Sequence, residues 1–303
     1  MKDFTDKIAL ITGGANGIGL GMAKVFAREG ARVVIADVRQ DSLDQALSVL
    51  PEGRAHAIRL DVSDRTAFAA AAEEIERTIG PVDLLCNNAG VNLFAPIDES
   101  TYEDWDWILG VNLWGVVNGV QAFAPRMKAR GRGHIVNTAS MASFLAGPAA
   151  GVYTAAKFAV RGLSESLRLS LARHGVGVSM LCPGLVASAI NRSDEVRPEA
   201  LSHNTAQVDP AFMERLAQIQ PLGMAPDEVA EAVLAGVRSN RLYIFSHPEL
   251  KDELREQFDY VLDQFPDGEG DPRRVEVEQR RRRGNAEARA RADAVGDADL
   301  GLL

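Results

Sequence analysis

The chain has 303 residues, a formal net charge of −9, and 46% hydrophobic residues, enough for a sizeable core. The acidic balance excludes a general affinity for nucleic acid or anionic membrane, and the start "MKDFTDKIALITGGANG" has no charged leader followed by a long apolar run. No run approaches the roughly 20 residues of a membrane span, and the two cysteines, Cys86 and Cys182, read as buried thiols of a reducing, cytoplasmic compartment.

The first apolar run, "KIALIT" over 7–12, predicts a strand, and "ITGGANGIG" leads from it into a helix over 17–29. Gly13, Gly17 and Gly19, with Asn16 and Ile18 among them, suit a tight turn where N–H groups at a helix start meet a pyrophosphate. The spacing departs from G-x-G-x-x-G because position 22 is Met, so the turn alone reads equally well as structural. "ARVVIAD" (31–37) predicts the second strand. It ends on Asp37, 18 residues beyond Gly19, where a carboxylate suits the hydroxyls of an adenosine ribose. A carboxylate there also repels a 2′-phosphate, and Gly14, Ala15 and Asn16 offer no basic partner for one, so NAD is expected rather than NADP. Val38 and Arg39 continue the same edge; Arg39 is the dissenting residue, able to reach a phosphate or to stack on adenine.

Further along come a helix over 41–49, a strand "AHAIRLD" (55–61), a helix over 64–79, a strand "VDLLCN" (82–87) and a long helix over 101–129. A strand "GHIVNTAS" (133–140), a helix over 150–173, a strand "VGVSMLC" (176–182), a helix over 226–239 and a strand "RLYIF" (241–245) complete the alternation. Seven strands separated by helices predict an α/β fold with a parallel sheet covered on both faces. A Pro-interrupted insertion at 187–225 follows a strand's carboxyl end, where such sheets bind ligands.

After Phe245 the alternation stops, and 246–303 is expected to be an extension of helix and coil. Its run Arg280 to Arg283 lies in a stretch, 266–303, with nine acidic and eight basic residues, which marks a solvated or partner-packing tail and not a nucleic-acid patch. Leu250, Leu254, Phe258 and Leu262, four apart, predict a packed helical face within it.

Tyr153 and Lys157, in "GVYTAAKFAV", lie one helical turn apart and share a face. Alone, the pair reads as an exposed aromatic on the stem of a solvated lysine. The alternative reading is an acid/base: a phenol with an ordinary pKa of about 10 needs nearby positive charge, such as that of Lys157, to act at neutral pH, and the pair alone does not choose between the two. His134 and His174, at a strand start and a helix end, are expected to be structural, and no metal-ligating constellation stands out.

T-G-x-x-x-G-x-G at 12–19, Asp61-Val62, "NNAG" at 87–90, Asn112, Ser140, Tyr153, Lys157 and "PG" at 183–184, in this order, resemble the classical short-chain dehydrogenase/reductase family from about Lys7 to Phe245. The resemblance implies a single Rossmann-type doubly wound domain over 1–245, with 246–303 as a helical extension. It implies that Asp61 and Val62 meet adenine and that Asn88, Ala89 and Gly90 line the cofactor. Pro183, Gly184, Val186 and Ser188 would hold the nicotinamide end. Tyr153 would exchange the hydroxyl proton, and Lys157 would bind the nicotinamide ribose. Ser140, 13 residues before Tyr153, would hydrogen-bond the reacting oxygen, with Ser143 as a lesser rival. Asn112 would support a proton relay through water and Lys157.

The substrate is expected to contact residues after "NNAG", after Ser140 and in the insertion. Phe94, Met141 and Phe144, with Val91, Asn92, Leu93 and Leu145, make that environment mainly apolar and suit a hydrophobic or aromatic secondary alcohol or ketone. "MKDF", "ADVR", "GVNLFAPI", "TYEDWDWILGVNLWGVVNG", "APRM" and "RLYIFSHPEL" resemble the bacterial Cα-dehydrogenases of lignin-type β-aryl ether breakdown. That resemblance implies oxidation of a benzylic alcohol with NAD and a homodimer or homotetramer. A steroid or other bulky-alcohol dehydrogenase is the alternative enzyme, and a dinucleotide-sensing regulator without turnover the alternative of another class.

Overall fold

The computed structural model describes residues 1–296. Strands β1 (Ile8–Thr12), β2 (Arg32–Asp37), β3 (Ala55–Arg59), β4 (Leu84–Asn87), β5 (Gly133–Thr138), β6 (Val176–Cys182) and β7 (Tyr243–Phe245) form one sheet in the order β3-β2-β1-β4-β5-β6-β7. Every pairing is parallel. The order reverses between β1 and β4, which opens a crevice at the carboxyl ends of the strands.

The side-chain period of two sorts each strand between two cores. Ala9 and Ile11 of β1, with Val33 and Ile35 of β2, face α1 (Gly17–Arg28), α2 (Gln40–Ser48) and α8 (Pro226–Arg238), where Met22, Phe26, Leu43, Val229 and Val233 are buried. Ile8 and Leu10, with Val34 and Ala36, face α3 (Arg65–Thr78), α5 (Gly115–Arg130) and α6 (Gly151–Leu171), where Phe68, Ile75, Phe123, Met127 and Val160 are buried. A sheet apolar on both faces can be stable only when sandwiched in this way. The fold is the doubly wound, Rossmann-like α/β class expected.

The helix expected over 101–129 begins as α4 (Tyr102–Leu109), capped reciprocally by Thr101 and Asp104, and continues as α5 after a π-helical turn at Gly110–Trp114. The run Tyr102–Arg130 is long and apolar enough to cross a membrane, against the expectation that no segment reaches that length, but 56% of its most apolar window is buried inside the protein, as in a core helix. The strand expected over 133–140 stops at Thr138, because the Ser140 hydroxyl accepts from Ala142 N–H at 3.1 Å and starts a 3₁₀ turn at Met141–Ser143.

The insertion holds short 3₁₀ turns and α7 (Pro210–Ile219). After β7 come α9 (Lys251–Leu262) and α10 (Pro272–Asp293); the rest of the expected extension, 297–303, lies outside the described residues. Of the four-spaced apolar residues, Leu250 and Leu254 pack on the second core and Phe258 meets Phe144 edge-on at 6.4 Å, while Leu262 is 62% exposed. Arg280, Arg281 and Arg282 pair with Glu276 and Glu278 along α10 itself, so the arginine run is largely self-neutralised.

Candidate active site

A cavity of about 710 Å³ follows the crevice. One end is formed by Gly13, Asn16, Gly17 and Ile18 of the first turn, by Asp37, Val38 and Arg39 after β2, and by Asp61 and Val62 after β3. Asn88, Ala89 and Gly90 follow along its length, and Ser140, Tyr153, Lys157, Pro183, Gly184, Val186 and Ser188 close the other end.

Gly13 has φ +62°, which lets the chain turn sharply off β1. Gly19, expected on the cofactor, is not on the cavity wall: a Cβ there would strike the Gly13 carbonyl, so it closes the turn from behind. The Asn16 side chain does not cap α1, and the first helical bond runs from Leu20 N–H to Asn16 O. Earlier N–H groups of the helix start are left for an anion. With the Asn16 amide oriented to satisfy both ends, its oxygen accepts from Arg39 Nη2 at 3.0 Å. Arg39 also lies 4.0 Å from Glu195 of the insertion. Asp37 accepts from the N–H groups of Ala15 and Arg39 at 3.4 and 3.3 Å, which orients its carboxylate at the mouth. These residues fit an adenosine dinucleotide: a helix start with uncommitted N–H groups lies beside a carboxylate held in place by two backbone N–H groups.

The "NNAG" loop is locked across three strands. Thr12 Oγ1 accepts from Asn88 and Ala89 N–H at 2.9 and 3.1 Å, Asn88 Nδ2 donates to Thr12 O at 3.1 Å, and Thr138 Oγ1 donates to Asn88 Oδ1 at 3.2 Å. Asn112, in the π turn, is fully buried; its Oδ1 accepts from Val91 N–H at 2.9 Å and its Nδ2 donates to Val91 O at 2.8 Å. Its amide is thus committed to holding the backbone beside Gly90 and does not line the cavity. The π turn re-aims one residue of an otherwise regular helix, a recurrent use of that geometry.

Lys157 is 3% exposed, and its Nζ donates to Thr138 O at 2.8 Å and lies 5.3 Å from the Tyr153 ring centroid. Burial pushes the ammonium down to about 8, with a smaller opposing effect from Cys182. Burial likewise raises the Tyr153 phenol above its ordinary value, and a hydrogen bond with Ser140 works against it. Ser143, the rival hydroxyl, donates to Ser140 O at 2.5 Å and is fully buried away from the cavity. His134 is bonded to Ser179 at 2.8 Å, and burial pushes it down to about 3, so it is a neutral core residue.

Phe94 lines the cavity, but Met141 and Phe144, both expected at the substrate, do not. The 3₁₀ turn after Ser140 swings the chain away, and the Phe144 ring joins Tyr243, Phe245 and Phe258 at 6.0, 5.6 and 6.4 Å with the Arg161 guanidinium 4.1 Å over it. The apolar wall comes instead from Trp107 and from Val196, Leu201 and Leu216 of the insertion. A buried pair fastens the insertion to α4: Arg197 meets Asp104 at 2.7 Å and stacks 4.8 Å over Trp107. Burial alone would raise the Asp104 carboxyl, but N–H groups of Thr101 and Ala206 and the Arg197 guanidinium outweigh it and hold the group below its ordinary value. His247, just past β7, was not anticipated either: its ring bonds the backbone of Gly184 and Leu185 from beneath.

The family model described as short chain dehydrogenase matches residues 7–198. A C alpha-dehydrogenase of Sphingobium sp. (strain NBRC 103272 / SYK-6) is 43% identical over 286 residues, covering 91% of this chain and 93% of that one. The structure of a putative short-chain dehydrogenase from Novosphingobium aromaticivorans is 46% identical with a TM-score of 0.83, covering 96% of this chain and 100% of that one. A short-chain dehydrogenase/reductase from Burkholderia phymatum, solved in complex with NAD, is 36% identical with a TM-score of 0.83, covering 89% and 100%. The chain belongs to the short-chain dehydrogenase family and is an oxidoreductase that works with a nicotinamide dinucleotide.

Proposed function

We propose that the protein interconverts a bulky, benzylic secondary alcohol and its ketone, with NAD as the cofactor and Tyr153 as the acid/base. The observation that carries this reading is the convergence of Ser140, Tyr153 and Lys157 at one end of a cavity walled by Phe94, Trp107, Val196, Leu201 and Leu216. Bound NAD supplies the hydride acceptor. Ser140 orients the substrate oxygen and Tyr153 takes its proton. Lys157, charged below a pH of about 8, favours the phenolate and offers donors to ribose hydroxyls.

Asp37 at the ribose position, and an Arg39 partly engaged by Asn16 and Glu195, support NAD over NADP. Similarity to a C alpha-dehydrogenase over nearly the whole chain supports an aryl substrate. On this reading residues 1–245 are the catalytic domain, 187–225 the substrate loop and 246–303 an extension. Gly13, Asn16, Gly17, Ile18, Asp37, Val38, Arg39, Asp61, Val62, Asn88, Ala89, Gly90, Pro183, Gly184, Val186 and Ser188, with Tyr153 and Lys157, hold the cofactor. The protein works in the cytoplasm, consistent with two free, buried cysteines, and its chains associate as a dimer or tetramer through the extension, whose Tyr260 and Phe265 are 64% and 71% exposed.

The test is NADH production from β-aryl ether model alcohols beside steroid and short aliphatic alcohols. Turnover of the aryl ethers is expected. A clear preference for steroids or short aliphatics, with the aryl ethers inert, overturns the substrate class and leaves the oxidoreductase in place.

A further inference from the structure

Arg161 lies one helical turn beyond Lys157 on α6 and is held by several partners. Its Nε donates to Glu165 Oε1 at 2.7 Å, and the same oxygen accepts from the Tyr243 hydroxyl at 2.8 Å. Its Nη1 donates to Ser143 O at 3.3 Å, and its guanidinium lies 4.1 Å over the Phe144 ring. A further neighbour comes from the extension: the Phe258 ring of α9 stands 6.0 Å from that guanidinium and meets Phe144 edge-on at 6.4 Å.

These contacts end on the turn that carries Ser140. Ser143 donates to Ser140 O through its backbone N–H at 2.9 Å and through its hydroxyl at 2.5 Å, while Phe144 and Leu145 N–H donate to Met141 O at 2.9 and 3.0 Å. Three residues of 3₁₀ helix supply few bonds of their own, so whatever grips Ser143 O and the Phe144 ring decides how firmly the Ser140 backbone is placed. Phe144 is 7% exposed. The helix that helps to cover it has no buried residue and, with Leu250 just before it, rests on the body through Leu254 and Phe258.

We infer that Phe258 is a positioning residue for the reaction: through Phe144 and Arg161 it braces the Ser140 turn, so that the extension is part of what aims the Ser140 hydroxyl. A guanidinium against aromatic rings and partly withdrawn from water keeps its hydrogen bonds better than a hydrated one, because water competes for the same donors. Removing the Phe258 ring admits water to Arg161 and to the edge of Phe144. The bond to Ser143 O, at 3.3 Å the longer of the two that Arg161 makes, is then the first to give way. Neither Phe258 nor Arg161 lines the cavity, so each acts through the turn and not on the substrate. A small displacement of an orienting hydroxyl is enough to slow a reaction that depends on alignment.

This inference rests on the preceding reading only for the role of Ser140. The test compares the full-length wild type with Phe258→Ala and with Phe258→Tyr, which keeps the ring; Arg161→Met loosens the same turn from its other partner, should the first variant fold poorly. Amide hydrogen exchange over 140–145 should quicken roughly three- to tenfold in Phe258→Ala and Arg161→Met, with exchange in β1 unchanged, and Phe258→Tyr should recover most of the protection. With whichever alcohol of the panel above is oxidised, kcat of Phe258→Ala should fall roughly tenfold while the NAD dissociation constant stays within about twofold. In a Ser140→Ala background the same substitution should change kcat by less than about twofold, because the group it positions is already gone. Unchanged exchange over 140–145, or an equal loss of kcat with and without Ser140, overturns the brace. If Ser140→Ala is as active as wild type, or no alcohol is turned over, the earlier reading fails instead, and the exchange rates alone uphold or overturn the hold of Phe258 on the turn.

Discussion

His247 and Gly184 are joined by a hydrogen bond of 3.0 Å, with the backbone N–H donating to Nδ1, while Nε2 donates to Leu185 O at 2.9 Å. The two bonds together fix the tautomer that carries its proton on Nε2. One imidazole from beyond the sheet therefore sets the path of the Gly184–Leu185 loop on the cavity wall, the stretch proposed to hold the nicotinamide end. His247→Ala should weaken NAD binding by roughly tenfold, the worth of one or two neutral hydrogen bonds, and His247→Gln should recover part of it. Cofactor titration by protein fluorescence gives the answer; an unchanged dissociation constant in a folded variant would show that the loop holds itself.

Lys157 titrates at about 8 in the folded chain and at 10.5 when unperturbed. Between these values the unfolded state binds the extra proton, so this group makes stability rise with pH across that window; below about 8 both states are charged and the full burial penalty stands. Lys157→Met should stabilise the protein at pH 7, by at most on the order of 3 kcal/mol, and by less at pH 9.5. Urea unfolding at the two pH values, both below the range where Tyr153 ionises, checks it. A constant difference between wild type and variant would mean that the lysine is not depressed.

Tyr153→Phe keeps the ring against Lys157 and removes the oxygen proposed to exchange the proton. Turnover should fall by at least about a hundredfold with NAD binding preserved. Single-turnover kinetics beside a binding titration separate the two, and near-wild-type turnover would remove Tyr153 from the chemistry.

Asp37→Ala should narrow the kcat/KM gap between NAD and NADP, because it deletes the proposed ribose acceptor, a carboxylate on the cavity wall whose charge would repel a 2′-phosphate, while leaving Arg39 in place. A wild-type enzyme that already prefers NADP would show that Arg39 outweighs the carboxylate.

Arg197→Met leaves Asp104 buried, at 0% exposure, with its cation gone. A buried ion deprived of its partner costs about 3–5 kcal/mol, although the two N–H groups on Asp104 reduce that here. The melting temperature should fall, and KM for the alcohol should rise more than KM for NAD, since Val196 and Leu201 flank the lost contact. Equal changes in both KM values would mean that the pair supports the fold as a whole.

The strands and the shared helical face of Tyr153 and Lys157 are legible because their signals are local: β6 is an unbroken apolar run, and the two residues are one helical turn apart. The π turn is not, since a helix period says nothing about one extra residue whose amide is claimed by Val91, 21 positions away. Phe144 follows Ser140 closely in sequence, yet a three-residue turn redirects the chain and takes its ring off the cavity wall. His247 carries no local mark; its partners Gly184 and Leu185 lie 63 and 62 residues earlier. Leu262 continued a four-residue period past the point where α9 has anything to lie on.

The extension leaves the body at β7 and returns to it at the end of α10, where Asp293 meets the almost fully buried Arg168 at 2.7 Å and Asn240 Nδ2 donates to Ala292 O at 2.9 Å. A polypeptide moored at both ends behaves as an arch and not as a streamer. Severing the chain between α9 and α10 would turn an intramolecular docking into a bimolecular one, and the far abutment would then hold only at protein concentrations that replace the lost tether. The integrity of that span therefore helps to keep Arg168 supplied with its counter-charge.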